Sequence, residues 1–419
     1  MKILIHATIL LMLVNLVFSQ KILIPMDQSQ TDHLKAYGIA FWVLGRDTDI
    51  EWLLNYRGGS FLMDNYPEIV RELRLRDVSF ETIPPGAELE IYGTIETSNM
   101  DVVLLEKAPK VAVYSPPGKQ PWDDAVTLAL TYAEVEYETV WDAEVLDGKL
   151  NDYDWLHLHH EDFTGQYGKF YRNYSTAAWY QKQQSDYESF AAQRGFSKVS
   201  EEKKMVARYI KDYVLKGGFL FAMCSATDAI DIALSAEGVD MVDTPYDHDP
   251  VDPDAQQRLD YGKTMAFENF KIITNPLIYE YSDIDIPSSD RPVARGAEAD
   301  YFTLFEFSAK WDPVPTMLTQ NHVGVIKGFM GQTTGFNRTL IKKHVIVMAD
   351  VPGEAQVKYI HGNAGKGTFT FLGGHDPEDY QHFVGDPPTQ LSLHRNSPGY
   401  RLILNNVLFP AAKKKERKT

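Results

Sequence analysis

The sequence predicts a doubly wound, mostly parallel α/β sheet. Three observations carry that reading. Strand-like and helix-like segments alternate from residue 110 onward: VAVYS at 111–115, a helix opening at Pro121, YETVW at 137–141 and DWLHLHH at 154–160. A helical apolar face over 205–214 runs through Gly217 and Gly218 straight into an apolar strand, FLFAM at 219–223. A late strand, TFTFLGG at 368–374, is followed directly by His375. Consecutive strands run the same way only when a crossover, usually a helix, carries the chain back, so this rhythm favours parallel pairing.

Composition sets the limits. The chain has 419 residues, 44% hydrophobic and 24% charged, enough for two or three domains or one large domain with insertions. That composition excludes a largely disordered or fibrous chain. Lys and Arg number 41 against 58 Asp and Glu, a net charge of −17, which repels phosphate backbones and excludes a nucleic-acid partner. The single cysteine allows no intramolecular disulfide and no all-cysteine metal site. Lys2 followed by an apolar run to Phe18 reads as a signal peptide over 1–19, with a retained anchor as the alternative. The expected mature protein is exported, periplasmic or extracellular, with no membrane span.

The elements follow in order. Residues 20–107 form an N-terminal α/β portion: a strand at 21–25, a helix within 28–44, strands near 51–56 and 60–63, a helix near 66–74 and a strand near 78–83. Pro84, Pro85 and Gly86 mark a soft boundary within 81–108. The main domain spans 108–410. Pro121 opens a helix with Asp123 and Asp124 in its first turn, where carboxylates suit the helix dipole. Residues 163–190, rich in aromatics, form an ordered flap or lid. Ser200 caps the helix whose apolar face is Met205, Val206, Tyr209, Ile210, Tyr213 and Val214. An acidic, Pro-rich insertion at 243–300 supplies loops and edge strands. A hairpin occupies 357–373, and 411–419 is a basic tail.

The sharpest chemical signal is Cys224, between strand and helix in Ala222-Met223-Cys224-Ser225-Ala226. A nucleophile on such a turn needs small residues on both sides, because the chain doubles back there. The following helix N-terminus lowers a thiol pKa and offers the Ser225 N–H to an oxyanion. Ser225 and Asp228 read as a capping pair. The plainer alternative is a small buried core residue. His375, in GGHDPED, is the candidate base, and Glu378, ahead of Asp376 and Asp379, the group that orients it; structural loop residues are the alternative.

These motifs, GGFLFAMCSATD and the late GGHDPE, resemble the class I glutamine amidotransferase-like fold. The resemblance covers roughly residues 108–410. It implies a flavodoxin-like sheet with a catalytic cysteine on the elbow and a histidine and glutamate after a late strand. Here the elbow is flanked by alanines where the family usually has glycines, and one extra residue separates His375 from Glu378. Across its whole length the chain is similar to a group of exported Bacteroidota proteins that go under the name asparagine synthetase B. The marks are ILIPMDQSQTDHLKAYGIAFWVL at 22–44, LLNYRGGSF at 53–61, WLHLHHEDFTGQYGKFY at 155–171 and FAMCSATD at 221–228. Synthetase chemistry is not expected, because the chain lacks both an N-terminal catalytic cysteine and an SGGxDS nucleotide loop.

A second constellation is His157, His159, His160, Glu161 and Asp162. His157 and His159 share one strand face, and such a pair can ligate a divalent metal with a nearby carboxylate. Hydrogen-bonded histidines are the plainer alternative. His159, His160, Glu161 and Asp376 are read as substrate-binding, and no metal or other cofactor is assigned. The aspartates of 247–254 and the glycines of 361–368 are read as solvated loop and turn. Two functions remain. One is a thiol-dependent amidohydrolase or acyl transferase using Cys224, His375 and Glu378. The other is a non-catalytic envelope protein that either scaffolds or binds a small-molecule, peptide or glycan ligand.

Overall fold

The computed structural model describes residues 20–118, 124–286, 296–312 and 321–412. The expected leader at 1–19, Pro121, Asp123 and the tail from 413 lie outside the described residues.

The N-terminal portion runs β1 (Lys21–Ile24), α1 (His33–Leu44), β2 (Ile50–Leu54), β3 (Ser60–Asp64), α2 (Pro67–Leu75), β4 (Glu81–Ile83), α3 (Glu88–Thr97) and β5 (Asp101–Leu105). Its sheet has the order β4-β1-β3-β2-β5, with every pair antiparallel. Strand alternation sends Leu23, Leu53 and Leu62 against Ile91 and Ile95 of α3. The opposite face, with Ile22, Ile24, Trp52 and Phe61, packs toward α1. The expected soft boundary at 81–108 is therefore α3 and β5. Pro84 makes only the turn that enters α3, its carbonyl accepting from Ala87 N–H at 3.0 Å.

The main portion runs β6 (Val111–Tyr114), α4 (Ala125–Ala133), β7 (Glu138–Val140), α5 (Asp142–Leu146), β8 (Trp155–Leu158), α6 (Tyr171–Tyr174), α7 (Ala178–Gln193), α8 (Val199–Lys216), β9 (Phe219–Met223) and α9 (Ala226–Ser235). Then come α10 (Thr244–Asp247), β10 (Tyr301–Leu304), β11 (Val325–Lys327), β12 (Phe336–Asn337), β13 (Ile346–Asp350), β14 (Gln356–Ala364), β15 (Gly367–Leu372) and α11 (Pro398–Leu408). Strands β7-β6-β8-β9-β15 are parallel neighbours, as the sequence predicts. The sheet continues antiparallel through β14, β13, β10 and β11, with β12 beside β14. The fold is thus mixed α/β: a mostly parallel central region with an antiparallel extension, beside a separate antiparallel sheet.

The central sheet has a core on each face. Val111, Val113, Trp155, Phe221 and Met223 meet α1, α4 and α11. Ala112, Tyr114, Leu156, Leu158, Leu220 and Ala222 meet α5, α8 and α9. Two helix details differ from expectation. The N-cap of α8 is Lys198, so Ser200 lies inside the first turn, and Gly217 closes the helix at φ +130. The buried face of α8 includes Lys203, while Tyr209 is exposed.

The two portions share one core. Buried Arg401 of α11 donates to Tyr37 Oη at 3.0 Å, Met26 O at 2.9 Å and Gly58 O. Helix α1 lies against both α4 and α11. The approach of α1 to α4 requires glycine at position 38, since a Cβ there would drive into the Ala133 carbonyl. No helix of the described residues is long and apolar enough to cross a membrane. Gly38→Ala is expected to cost about 1–3 kcal/mol of stability in urea unfolding. A loss below about 0.5 kcal/mol, the range of neutral surface changes, would show that the helices do not touch there.

Candidate functional site

In the central sheet the chain leaves β6 for β7 on one side and reaches β8 on the other. The carboxyl ends of β6 and β8 therefore bound a crevice of the kind in which open α/β sheets bind ligands. Asp124 enters it as the N-cap of α4, its Oδ1 accepting from Val126 N–H at 2.7 Å and Thr127 N–H at 3.2 Å. From β8 comes His157, with Nε2 3.1 Å from Asp124 Oδ2 and Nδ1 3.2 Å from Phe221 O. His159 Nδ1 is 3.2 Å from Asp124 Oδ1. Against the desolvation of burial, His157 and His159 hold Asp124 well below the usual carboxylate range.

The Cys224 turn is as sharp as the sequence implies, with φ +51 at a non-glycine residue. It is fastened on both sides: Cys224 N–H donates to Gly374 O at 3.1 Å, and Ala226 N–H to His159 O at 2.9 Å. The thiol is buried, and its Sγ accepts from Gln332 N–H at 3.4 Å. Burial pushes the thiol up to about 11, against the lowering effect of the Gln332, Ser225 and Thr333 amides. No hydrogen bond joins Sγ to His375. The expected capping pair is absent: Ser225 makes no side-chain cap, and Asp228 Oδ1 accepts from Thr333 Oγ1 at 2.9 Å.

Hydrogen bonds do not join the expected Cys-His-Glu set. Glu378 Oε2 is 3.1 Å from His394 Nδ1, so it orients a different histidine from the expected one. Asp376, expected at the substrate, is buried and engaged locally. Its Oδ1 accepts from Glu378 N–H at 2.9 Å and its Oδ2 from Thr389 Oγ1 at 2.8 Å, which shapes the turn after β15.

What the structure does bring together is imidazole. The His159 and His375 ring centroids are 4.3 Å apart, and His160 lies 4.7 Å from His159 and 5.6 Å from His375. His382 stacks on the far side of His375 at 4.3 Å. One ring nitrogen from each of His159, His160 and His375 falls within 4.8 Å of the others. Nε2 of His159 and Nδ1 of His375 are buried without a hydrogen-bond partner, while Nδ1 of His159 faces Asp124. Burial, reinforced by the neighbouring imidazoles, holds His160 and His375 well below the ordinary histidine value, so both are neutral at pH 7.

Beside His160 is a cavity of about 10 Å3, room for about one water, lined by Glu161, Asp162, Tyr167, Tyr187 and Lys203 among others. Lys203 Nζ donates to Asp142 Oδ2 at 2.6 Å and sits 3.9 Å above the Trp141 ring. Burial pushes Glu161 up to about 8, countered by Lys203 and reinforced by Asp142 and Asp124. Burial likewise takes Glu202 up to about 8. The covering segment is strained: Tyr167 has φ +49 and Lys169 φ +58. It is fastened by polar bonds, Gly168 N–H to Asp162 Oδ2 at 3.1 Å, Gln332 Nε2 to Gly168 O at 2.8 Å and Lys169 Nζ to Ile273 O at 2.7 Å.

Sequence reasoning missed Asp124, His382, Lys203 and Asp142 as parts of this region. Asp124 was legible only as a helix-start carboxylate, although its place just after β6 puts it at the crevice.

No protein-family model and no curated protein matches this chain. Among solved structures it is similar to two cytoplasmic proteins of Salmonella typhimurium, STM3548 and STM1381. They are 12% and 11% identical with TM-scores of 0.33 and 0.35, each alignment covering 73% of this chain and 100% of the other. It is also similar to a β-galactosidase from Bacillus circulans sp. alkalophilus, at 9% identity and TM-score 0.25 over 65% of this chain and 29% of that one. Likenesses this faint carry no functional argument.

The raised carboxyls give a pH signature. A carboxyl moved from 4.5 to about 8 binds its proton more tightly in the folded state, so its contribution is complete below pH 4.5 and is lost as pH rises to about 8. His33 and His361, lowered by burial to about 4, act below pH 6.5 with the opposite slope. Lys169 and Lys358, lowered by burial to about 8, act above that value. Stability in urea is therefore expected to fall between about pH 6.5 and 8, and the double variant Glu161→Gln, Glu202→Gln to flatten that fall. A wild-type curve that rises across this window contradicts the assignment.

Proposed function

We propose that this is a ligand-binding α/β protein whose site is the histidine-lined crevice at the carboxyl ends of β6, β8 and β15. In this reading Cys224 serves the turn rather than nucleophilic chemistry. One observation carries it: Cys224 Sγ is an acceptor for the Gln332 amide, with no hydrogen bond to His375. A thiol-dependent acyl transferase needs a base on the thiol and a group orienting that base. Here the base has no thiol, and Glu378 is paired with His394. The leader-like run at 1–19 supports export, so the proposal includes a binding function in the cell envelope or beyond.

The acyl-transfer reading keeps one observation in its favour, the φ of +51 at Cys224, a strain of the kind found where a nucleophile is presented. Iodoacetamide separates the two, because the only thiol is Cys224. The folded protein is expected to label slowly from pH 6 to 9, at a rate unchanged by His375→Ala. Fast labelling with an apparent pKa below about 8.5, lost in that variant, would establish a nucleophile and end the binding-only reading.

A further inference from the structure

We infer that His159, His160 and His375 together bind a divalent transition-metal cation, zinc being the best fit to the donor set. This rests on the reading of the carboxyl-edge crevice as the binding site and names its ligand.

Three observations converge. First, the donors are rigidly placed. His159 and His160 follow β8, His375 follows β15, and β9 pairs with both strands. The backbone bonds of the Cys224 turn then tie His159 O and Gly374 O to the same three residues. Second, one ring nitrogen of each lies within 4.8 Å of the others. A tetrahedral zinc with nitrogens at about 2.1 Å sets them about 3.4 Å apart, so modest side-chain rotation closes the site. Third, Nε2 of His159 and Nδ1 of His375 are buried without a hydrogen bond, while His159 is 1% and His375 8% exposed. Buried polar atoms normally have partners, and two imidazole nitrogens lacking one in the same cluster mark a missing electrophile.

The neighbouring group Asp124, His157 and His159 is also compact, but it is already satisfied. His157 uses both ring nitrogens, and Asp124 holds His157 and two helix amides. It suits the role of outer support. Asp124 Oδ1, 3.2 Å from His159 Nδ1, leaves Nε2 of His159 for the ion. An all-imidazole set selects zinc, copper or nickel over calcium and magnesium, which take oxygen donors. Three protein ligands leave a fourth position open to water or a small anion.

The test uses tag-free protein stripped with chelator and titrated with zinc chloride by calorimetry, with cobalt(II) absorption as a second readout. One ion per chain is expected. His159→Ala and His375→Ala should each weaken binding by about 100-fold or more, and His248→Ala, outside the cluster, should leave it unchanged. Because a buried histidine can be needed for folding, the half-buried His160→Asn carries the same expectation, with circular dichroism confirming the fold. Anomalous diffraction at the zinc edge from wild-type crystals locates the ion without any variant. No zinc uptake by the folded wild type, or an ion seated on Asp379, His382 and Asp386 instead, overturns the inference. Absence of zinc on a protein with an inert thiol sinks this inference alone, whereas a fast-reacting Cys224 sinks the binding-only reading whatever zinc does.

Discussion

Two backbone hydrogen bonds beyond the ends of the strands hold the candidate site in one piece: Ala226 N–H to His159 O and Cys224 N–H to Gly374 O. Parallel strands in register stop at a common level, and these bonds extend the ladder past that level. The positions from which the His159 and His375 rings project are thus set by the turn between them. That turn exists only because residue 224 accepts φ +51 before the chain departs into α9. A small side chain tolerates that conformation better than a branched one, and its sulfur also satisfies the Gln332 amide. The thiol thus has a structural reason to be there.

Closure over the site is polar. The aromatic residues of 163–190 pack largely into the core on the α8 face, while the segment nearest His160 is held by Asp162, Gln332 and Lys169. Below it the Lys203–Asp142 pair is buried among Tyr114, Trp141 and Tyr187. A buried ion pair of this kind adds little net stability but is expensive to break from one side, so it fixes the geometry of the wall it belongs to.

Much of the parallel half was legible. β6, β8, β9, β15 and α8 announce themselves by local period and by flanking glycine. Of the antiparallel extension only the hairpin at 357–373 was legible, as β14 and β15; β10 to β13 were not, because these strands are only two to five residues long. α3 and β5 were hidden by the Pro84-Pro85-Gly86 signal, which reads as a break but only turns the chain. Lys203 escaped the helical apolar pattern because its burial depends on Asp142, an element away. The candidate residues show the same limit. Cys224, His159, His160 and His375 were each visible singly, but sequence chemistry joined Cys224 to His375, and the fold joins the imidazoles to one another. Which nitrogen faces which atom is decided by strand register and turn geometry, which no local pattern contains.

The docking of α1 against α11 has a consequence for biogenesis. The first helix of the described chain and the last close the same core, with Arg401 bonded to the Met26 and Gly58 carbonyls. During synthesis the part of this core that α11 covers stays open until α11 has been made. Contacts between distant parts of a chain close slowly.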